Sequence, residues 1–236
     1  MAATSELIVG VVGAGAMGSG IAQVAAAAGH RVILGDVNAA AVLKARAAIA
    51  KAVARDVEKG RLDQQGADAL LGRIADAGSL SAGYAAFAEC GLVIEAVLEE
   101  LSVKRTLFAA LELVVRDDCI LATNTSSLSV AAIAGGCARA ERVVGIHFFN
   151  PAPVMPLVEI VPAITTSDDV TGAAASLVDG WRKTTVIASD TPGFIVNRIA
   201  RPFYSESLRQ MEEGIADAAT IDWAMREIGE IGRAHV

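Results

Sequence analysis

The run Val9-Gly10-Val11-Val12-Gly13-Ala14-Gly15-Ala16-Met17-Gly18 leads an apolar strand straight into the spacing G-x-G-x-x-G, and Asp36 follows 18 residues after the last glycine. Each part of that pattern has a physical task. Gly13 permits the tight turn, Gly15 lets backbone approach a pyrophosphate, and Gly18 lets the next helix pack close to the strand with its amide-rich end toward the phosphates. An Ala-rich helix over residues 16 to 28, a second strand from Arg31 to Gly35 and an acid at that strand's end complete a dinucleotide-binding fingerprint. Asp36 can accept both ribose hydroxyls and repels a 2′-phosphate, so the expected cofactor is NAD rather than its 2′-phosphorylated form.

The 236 residues suffice for one large domain, or one domain with a smaller appendage. With 53% hydrophobic but only 4% aromatic residues, the core is built from Ala, Val, Ile and Leu. A net charge of −7 and the lack of any long basic run argue against nucleic-acid and anionic-membrane partners. Leu7 to Gly29 carries no charge across 23 residues, but its glycines encode a turn rather than a membrane span. The uncharged start Met1-Ala2-Ala3-Thr4-Ser5 lacks the positive charge of a signal peptide. Cys90, Cys119 and Cys137, odd in number and without metal-ligand spacing, are expected to be reduced thiols in a cytoplasmic protein that holds no metal.

Strand-length apolar runs recur at Leu7 to Val12, Val32 to Gly35, Leu92 to Ala96, Cys119 to Thr123, Val143 to Phe148, Leu157 to Val161 and Thr184 to Ala188. Helical patterns separate most of them, which predicts an α/β fold of Rossmann type with a mostly parallel sheet. Residues 38 to 75 have the spacing of a helical-hairpin insertion with a break at Lys59-Gly60-Arg61. It reads either as surface decoration or as an arm over a bulky substrate. After Ser189 the character changes: Asp190-Thr191-Pro192-Gly193 is linker or cap chemistry, and Ile195, Ile199, Phe203 and Leu208 form a helical stripe, with another helix from about Asp217. The expected organisation is therefore 1–189 for the dinucleotide domain and 190–229 for the start of an all-helical domain too short to bury its own faces. Residues 230–236 back-translate to a common sequencing-library adapter, so they are expected to be a non-native tail, and His235 receives no role.

Among the three histidines, His30 falls in the helix-to-strand turn Gly29-His30-Arg31 and reads as a polar loop residue. His147, in Gly145-Ile146-His147-Phe148-Phe149-Asn150-Pro151, ends an apolar strand, where open α/β sheets place catalytic groups. Glu159 interrupts Leu157-Val158-Glu159-Ile160-Val161 twelve residues later and, if buried, needs a partner. Two readings stand: a His147–Glu159 dyad in which the acid fixes the tautomer, or a structural glutamate satisfied by backbone. Thr123-Asn124-Thr125-Ser126-Ser127-Leu128-Ser129 reads alone as a hydroxyl-rich N-cap, though its place after a strand puts Ser126 beside the same crevice. Asn197 lies in a helical segment that disfavours asparagine, which points to a tertiary hydrogen bond.

G-A-G-A-M-G, T-N-T-S-S-L-S, G-I-H-F-F-N-P, M-P-L-V-E-I and T-P-G-F-I-V-N-R, in that order over residues 7 to about 229, resemble the L-3-hydroxyacyl-CoA dehydrogenase family. The resemblance implies a Rossmann-type NAD domain and a helical domain that closes over acyl-CoA and forms a homodimer. It implies His147 as general base, Glu159 as its orienting partner, and Ser126 and Asn197 at the substrate oxygen or the imidazole. Cofactor contacts carry over to Gly13, Gly15, Met17, Gly18, Asp36, Glu99, Lys104, Ser126 and Asn150, and a CoA phosphate contact to Lys59. Without the resemblance, Glu99 and Lys104 read as a solvated helix start. The implied reaction is reversible oxidation of (S)-3-hydroxyacyl-CoA by NAD, in fatty-acid, butanoate or phenylacetate-type catabolism. Arg198-Ile199-Ala200-Arg201-Pro202-Phe203-Tyr204 looks nearest to the phenylacetate type, with Arg201 able to meet a second carboxylate. The alternatives are an inactive or purely NAD-binding fragment and a gulonate-type sugar-acid dehydrogenase.

Overall fold

The computed structural model describes residues 7–229. Its contacts divide into two units, with the division between Phe194 and Ile195. The first contains a sheet of eight strands: β1 (Ile8–Val12), β2 (Arg31–Asp36), β3 (Ile74–Ser79), β4 (Leu92–Glu95), β5 (Ile120–Thr123), β6 (Val143–Phe148), β7 (Leu157–Pro162) and β8 (Thr184–Ile187). Their order is β3-β2-β1-β4-β5-β6-β7-β8. All neighbours run parallel except β6 and β7. The chain winds outward from β1 to β3, then returns to the other side of β1 at β4. That reversal opens a crevice beyond the carboxyl ends of β1 and β4.

The core follows from strand periodicity. On β1, Val9 and Val11 enter one apolar cluster and Val12 the other, because successive side chains point to opposite faces. Helices α1 (Ala16–Ala27), α2 (Ala39–Glu58) and α6 (Asp168–Asp179) contribute to the first cluster. Helices α4 (Leu101–Glu112) and α5 (Val130–Ala134) contribute to the second. The expected insertion is α2 followed by α3 (Gln64–Gly72). Asn38 caps α2 by accepting from the Ala40 amide, and Val42, Ala45, Ile49 and Val53 form its buried stripe. Gly60 (φ +66°) turns the chain out of the helix, and Asp63 caps α3 through the Gly66 amide.

One strand differs from the sequence expectation. The insertion ends at Gly72, and β3 begins at Ile74, so an edge strand occupies sequence read as helical hairpin and loop. Only Ile74 of β3 is buried, and Asp76 and Gly78 interrupt its apolar character. An edge strand with one solvated side carries little hydrophobic signal. His30 also differs: it is 2% exposed, lies beside Trp181 and meets the Leu7 carbonyl through Nδ1 at 3.3 Å.

The second unit contains α7 (Val196–Glu212) and α8 (Ala218–Glu227), the latter capped by Asp217 through the Thr220 amide. No residue of either helix is buried. The expected stripe of Ile195, Ile199, Phe203 and Leu208 is exposed along its length. The tail assigned to 230–236, with His235, lies outside the described residues.

Candidate active site

β6 and β7 pair antiparallel with His147 directly opposite Glu159. Direct cross-strand partners project to the same face of the sheet, so the pairing register brings these two side chains together. Their separation is 2.7 Å from Nδ1 to a carboxylate oxygen, with His147 5% exposed and Glu159 fully buried. A carboxylate partner requires Nδ1 to carry the proton it donates, which leaves Nε2 with a lone pair. The contact that the dyad reading requires is present. The rings of Phe149 and Phe194 flank the imidazole at 4.6 and 5.5 Å between centroids.

The loop after β5 is tied to the same strand end, because the Asn124 side chain accepts the Phe148 amide at 2.9 Å. Ser126 follows in that loop, half-buried, and its amide donates to Glu99 at 3.1 Å. The Thr125 and Ser127 hydroxyls donate to the same Glu99 oxygen. Burial alone would raise the Glu99 carboxyl, but the Thr125 hydroxyl, the Lys104 ammonium and the Ser126 amide together hold it below its ordinary value.

Lys104 is not part of a solvated helix start, whereas Glu99 stays exposed and is engaged from one side only. Lys104 is 1% exposed, and its ammonium meets Glu95 at 2.5 Å and Glu99 at 3.1 Å. Glu95, fully buried at the end of β4, also accepts from the Val97 amide and the Thr123 hydroxyl. Sequence reasoning assigned no role to Glu95. Its signal was the one that singled out Glu159, a lone acid closing the apolar run Leu92-Val93-Ile94. Phe149, Phe194 and Asn124 were also passed over.

The sequence profile of the 3-hydroxyacyl-CoA dehydrogenase NAD binding domain matches residues 8–191, and that of the family's C-terminal domain matches residues 193–230. The chain belongs to the 3-hydroxyacyl-CoA dehydrogenase family. It is 44% identical over 219 residues to 3-hydroxyadipyl-CoA dehydrogenase of Escherichia coli K12, covering 93% of this chain and 45% of that one. It is 40% identical to 3-hydroxybutyryl-CoA dehydrogenase of Bradyrhizobium diazoefficiens, covering 92% of this chain and 73% of the relative. Among solved structures, a 3-hydroxybutyryl-CoA dehydrogenase from Escherichia coli K12 superposes with a TM-score of 0.89 at 44% identity, covering 94% of this chain and 46% of that chain. The chain thus spans less than half the length of the first of these relatives.

The family match is to an NAD-binding domain, and the residues of the glycine turn fit such a cofactor. At Gly13 φ is +104° and a Cβ would strike the Ala96 carbonyl; at Gly18 a Cβ would overlap the Gly13 carbonyl oxygen. A Cβ at Gly15 would instead meet open space, which is the approach a pyrophosphate requires. No side chain caps α1 at Gly15, so its first amides remain free for an anion. Asp36 braces the turn by accepting from the Ala14 amide at 2.8 Å and the Asn38 amide at 2.9 Å. A carboxylate has about four acceptor positions, so capacity remains for ribose hydroxyls. Beside it opens a cavity of about 620 Å³ lined largely by apolar groups, among them Leu80, Tyr84, Val97, Leu98 and Val103. Such a lining suits an adenine ring.

The other expected residues are spread more widely. Met17 is half-buried on α1, and Asn150 is exposed in the loop beyond β6. Lys59 is exposed at the end of α2 and lines a groove of about 340 Å³ with Ala16, Ser19 and Pro151. Asn197 is the second residue of α7, in the other unit. No helix among the described residues is long and apolar enough to cross a membrane.

Proposed function

We propose that this chain carries the cofactor site and proton-transfer dyad of an NAD-dependent (S)-3-hydroxyacyl-CoA dehydrogenase, which forms the 3-oxoacyl-CoA reversibly. The reading rests chiefly on the buried 2.7 Å contact between His147 and Glu159. When bound, NAD supplies the hydride acceptor. Glu159 holds the His147 Nδ1–H, orients the ring and balances the charge when Nε2 takes the substrate hydroxyl proton. The polar loop carrying Ser126 supplies hydrogen bonding for the substrate oxygen, and we assign Asn197 to the same oxygen or the imidazole. Glu99, Lys104, Met17 and Asn150 are assigned to the cofactor side and Lys59 to a CoA phosphate.

The acyl-CoA substrate is supported by the names of the relatives, and Lys59 suits it as an exposed cation on a groove at the first turn of α1. We assign Arg201, exposed on α7, to a second carboxylate of a dicarboxylic acyl group such as that in the name of the 44%-identical relative. A homodimer and a cytoplasmic setting complete the reading.

The test is NADH oxidation driven by acetoacetyl-CoA, with NADH affinity measured in parallel. His147→Gln is expected to lower turnover by about 10²- to 10⁴-fold while leaving NADH binding near that of the parent. Near-parental turnover in that variant overturns the assignment. NADH binding with no acetoacetyl-CoA-dependent turnover in the parent chain favours a purely NAD-binding fragment instead.

A further inference from the structure

We infer that Phe194 is a positioning residue for His147: its ring, buried on a left-handed turn at the end of the first unit, fixes the imidazole against Glu159. The inference rests on the reading of His147 as the general base.

The segment leading to Phe194 is anchored before it reaches the ring. The Asp190 carboxylate accepts from the Ser129 hydroxyl and from the Val130 and Ala131 amides, all within 2.9 Å. A turn then closes with the Phe194 amide donating to the Thr191 carbonyl at 2.9 Å. Gly193 and Phe194 both occupy left-handed backbone, at φ +78° and +47°. Glycine does so without penalty, whereas an aromatic residue there is strained and persists only where its surroundings over-determine it. What holds Phe194 is burial. It is 4% exposed and belongs to the apolar cluster of Val130, Val161 and Ala188.

The same ring meets His147 edge-on, at 5.5 Å between centroids and 62° between planes, a favourable aromatic geometry. Glu159 meets the imidazole at Nδ1, and the orientation of the ring about that contact is set by the groups packed on it. Phe149, at 4.6 Å, is only half-buried. Phe194 is the more deeply buried of the two aromatic walls of the dyad. Proton transfer is sensitive to placement, since an error of about 1 Å can cost roughly 100-fold in rate.

The decisive readout is proton–nitrogen NMR of the His147 ring, compared among the parent chain, Phe194→Leu, Phe194→Ala and Phe194→Gly. The sequence has three histidines, and His147→Gln assigns the ring signals by their disappearance. The parent is expected to show a downfield, slowly exchanging Nδ1–H. Phe194→Ala and Phe194→Gly are expected to lose it to exchange with water, while Phe194→Leu, which keeps apolar volume, retains it in part. Unchanged His30 signals report that the first unit is intact, and if Phe194→Ala unfolds, a faster-exchanging Nδ1–H in folded Phe194→Leu carries the test. In turnover, Phe194→Ala is expected to lower kcat by about tenfold or more with KM changed less than about twofold. A parent-like Nδ1–H in both small variants overturns the inference. Its retention in Phe194→Gly but loss in Phe194→Ala also overturns it, because the backbone rather than the ring would then be responsible. If ring signals respond as expected but His147→Gln keeps full turnover, the positioning stands and the reading of His147 as base fails.

Discussion

The Lys104 ammonium lies 2.5 Å from a carboxylate oxygen of Glu95, and both side chains are closed to solvent. Nine residues separate them, so the helix that follows β4 carries the cation back over the strand end it came from. Removing one partner strands a buried charge, which typically costs about 3 to 5 kcal/mol, whereas replacing both with apolar or neutral groups is often near neutral. Lys104→Met should therefore lower unfolding free energy by about 3 kcal/mol or more in a urea titration, and adding Glu95→Gln should restore much of it. Additive losses would show that the two side chains do not act as a pair.

Asp36 has one task that the structure shows and a second, at the ribose, that we propose. Its carboxylate braces the Ala14 amide within the glycine turn, and it faces the cavity assigned to the adenosine end of the cofactor. Loss of a hydrogen bond to a charged group costs about 1.5 to 3 kcal/mol, which corresponds to roughly 10- to 100-fold in affinity. Asp36→Ala should weaken NADH by about that factor and weaken the 2′-phosphorylated cofactor less, since a repulsive charge has gone. Equal affinities for NADH in parent and variant would remove the ribose role.

The sheet, its helical hairpin and the buried acid opposite His147 are legible because each carries a local signal. Apolar runs gave seven strands, and Glu159 stood out as a lone acid inside one of them. The eighth strand was hidden because Ile74-Ala75-Asp76-Ala77-Gly78-Ser79 buries only its first residue. Lys104 was misread on its own residues because a helix start with mixed charges ordinarily faces water, and its burial depends on Glu95 and Glu99 closing around it. Phe194 was invisible for a different reason: Pro192-Gly193 accounts for a turn by itself, and nothing local says that the next residue shares the left-handed conformation.

Glu99 makes stability depend on acid in a definite direction. Its folded-state carboxyl sits below its ordinary value of 4.5, so the ionised form is favoured by folding. The stabilisation is fully present above that ordinary value and is lost as pH falls through the lower folded value. Urea midpoints measured from about pH 6 down to about pH 3 should fall more steeply for the parent than for Glu99→Gln in the acid range. Parallel pH profiles would show that Glu99 is not the group responsible.

The cysteines give a chemical measure of how closed the second cluster is. Burial pushes the Cys90 and Cys119 thiols up to about 12, and Cys137, half-buried, to about 11. At pH 8 the thiolate, which is the reactive form, is then on the order of one part in 10⁴ for the first two and one in 10³ for the third. An exposed cysteine would be nearly a quarter ionised under the same conditions, given an ordinary value of about 8.5. A thiol-reactive chromophore should therefore label the native chain slowly, with Cys137 first, and label all three quickly in denaturant. Rapid labelling of Cys119 in the native chain would mean that the sheet face carrying Val93 and Leu121 opens far more readily than its packing implies.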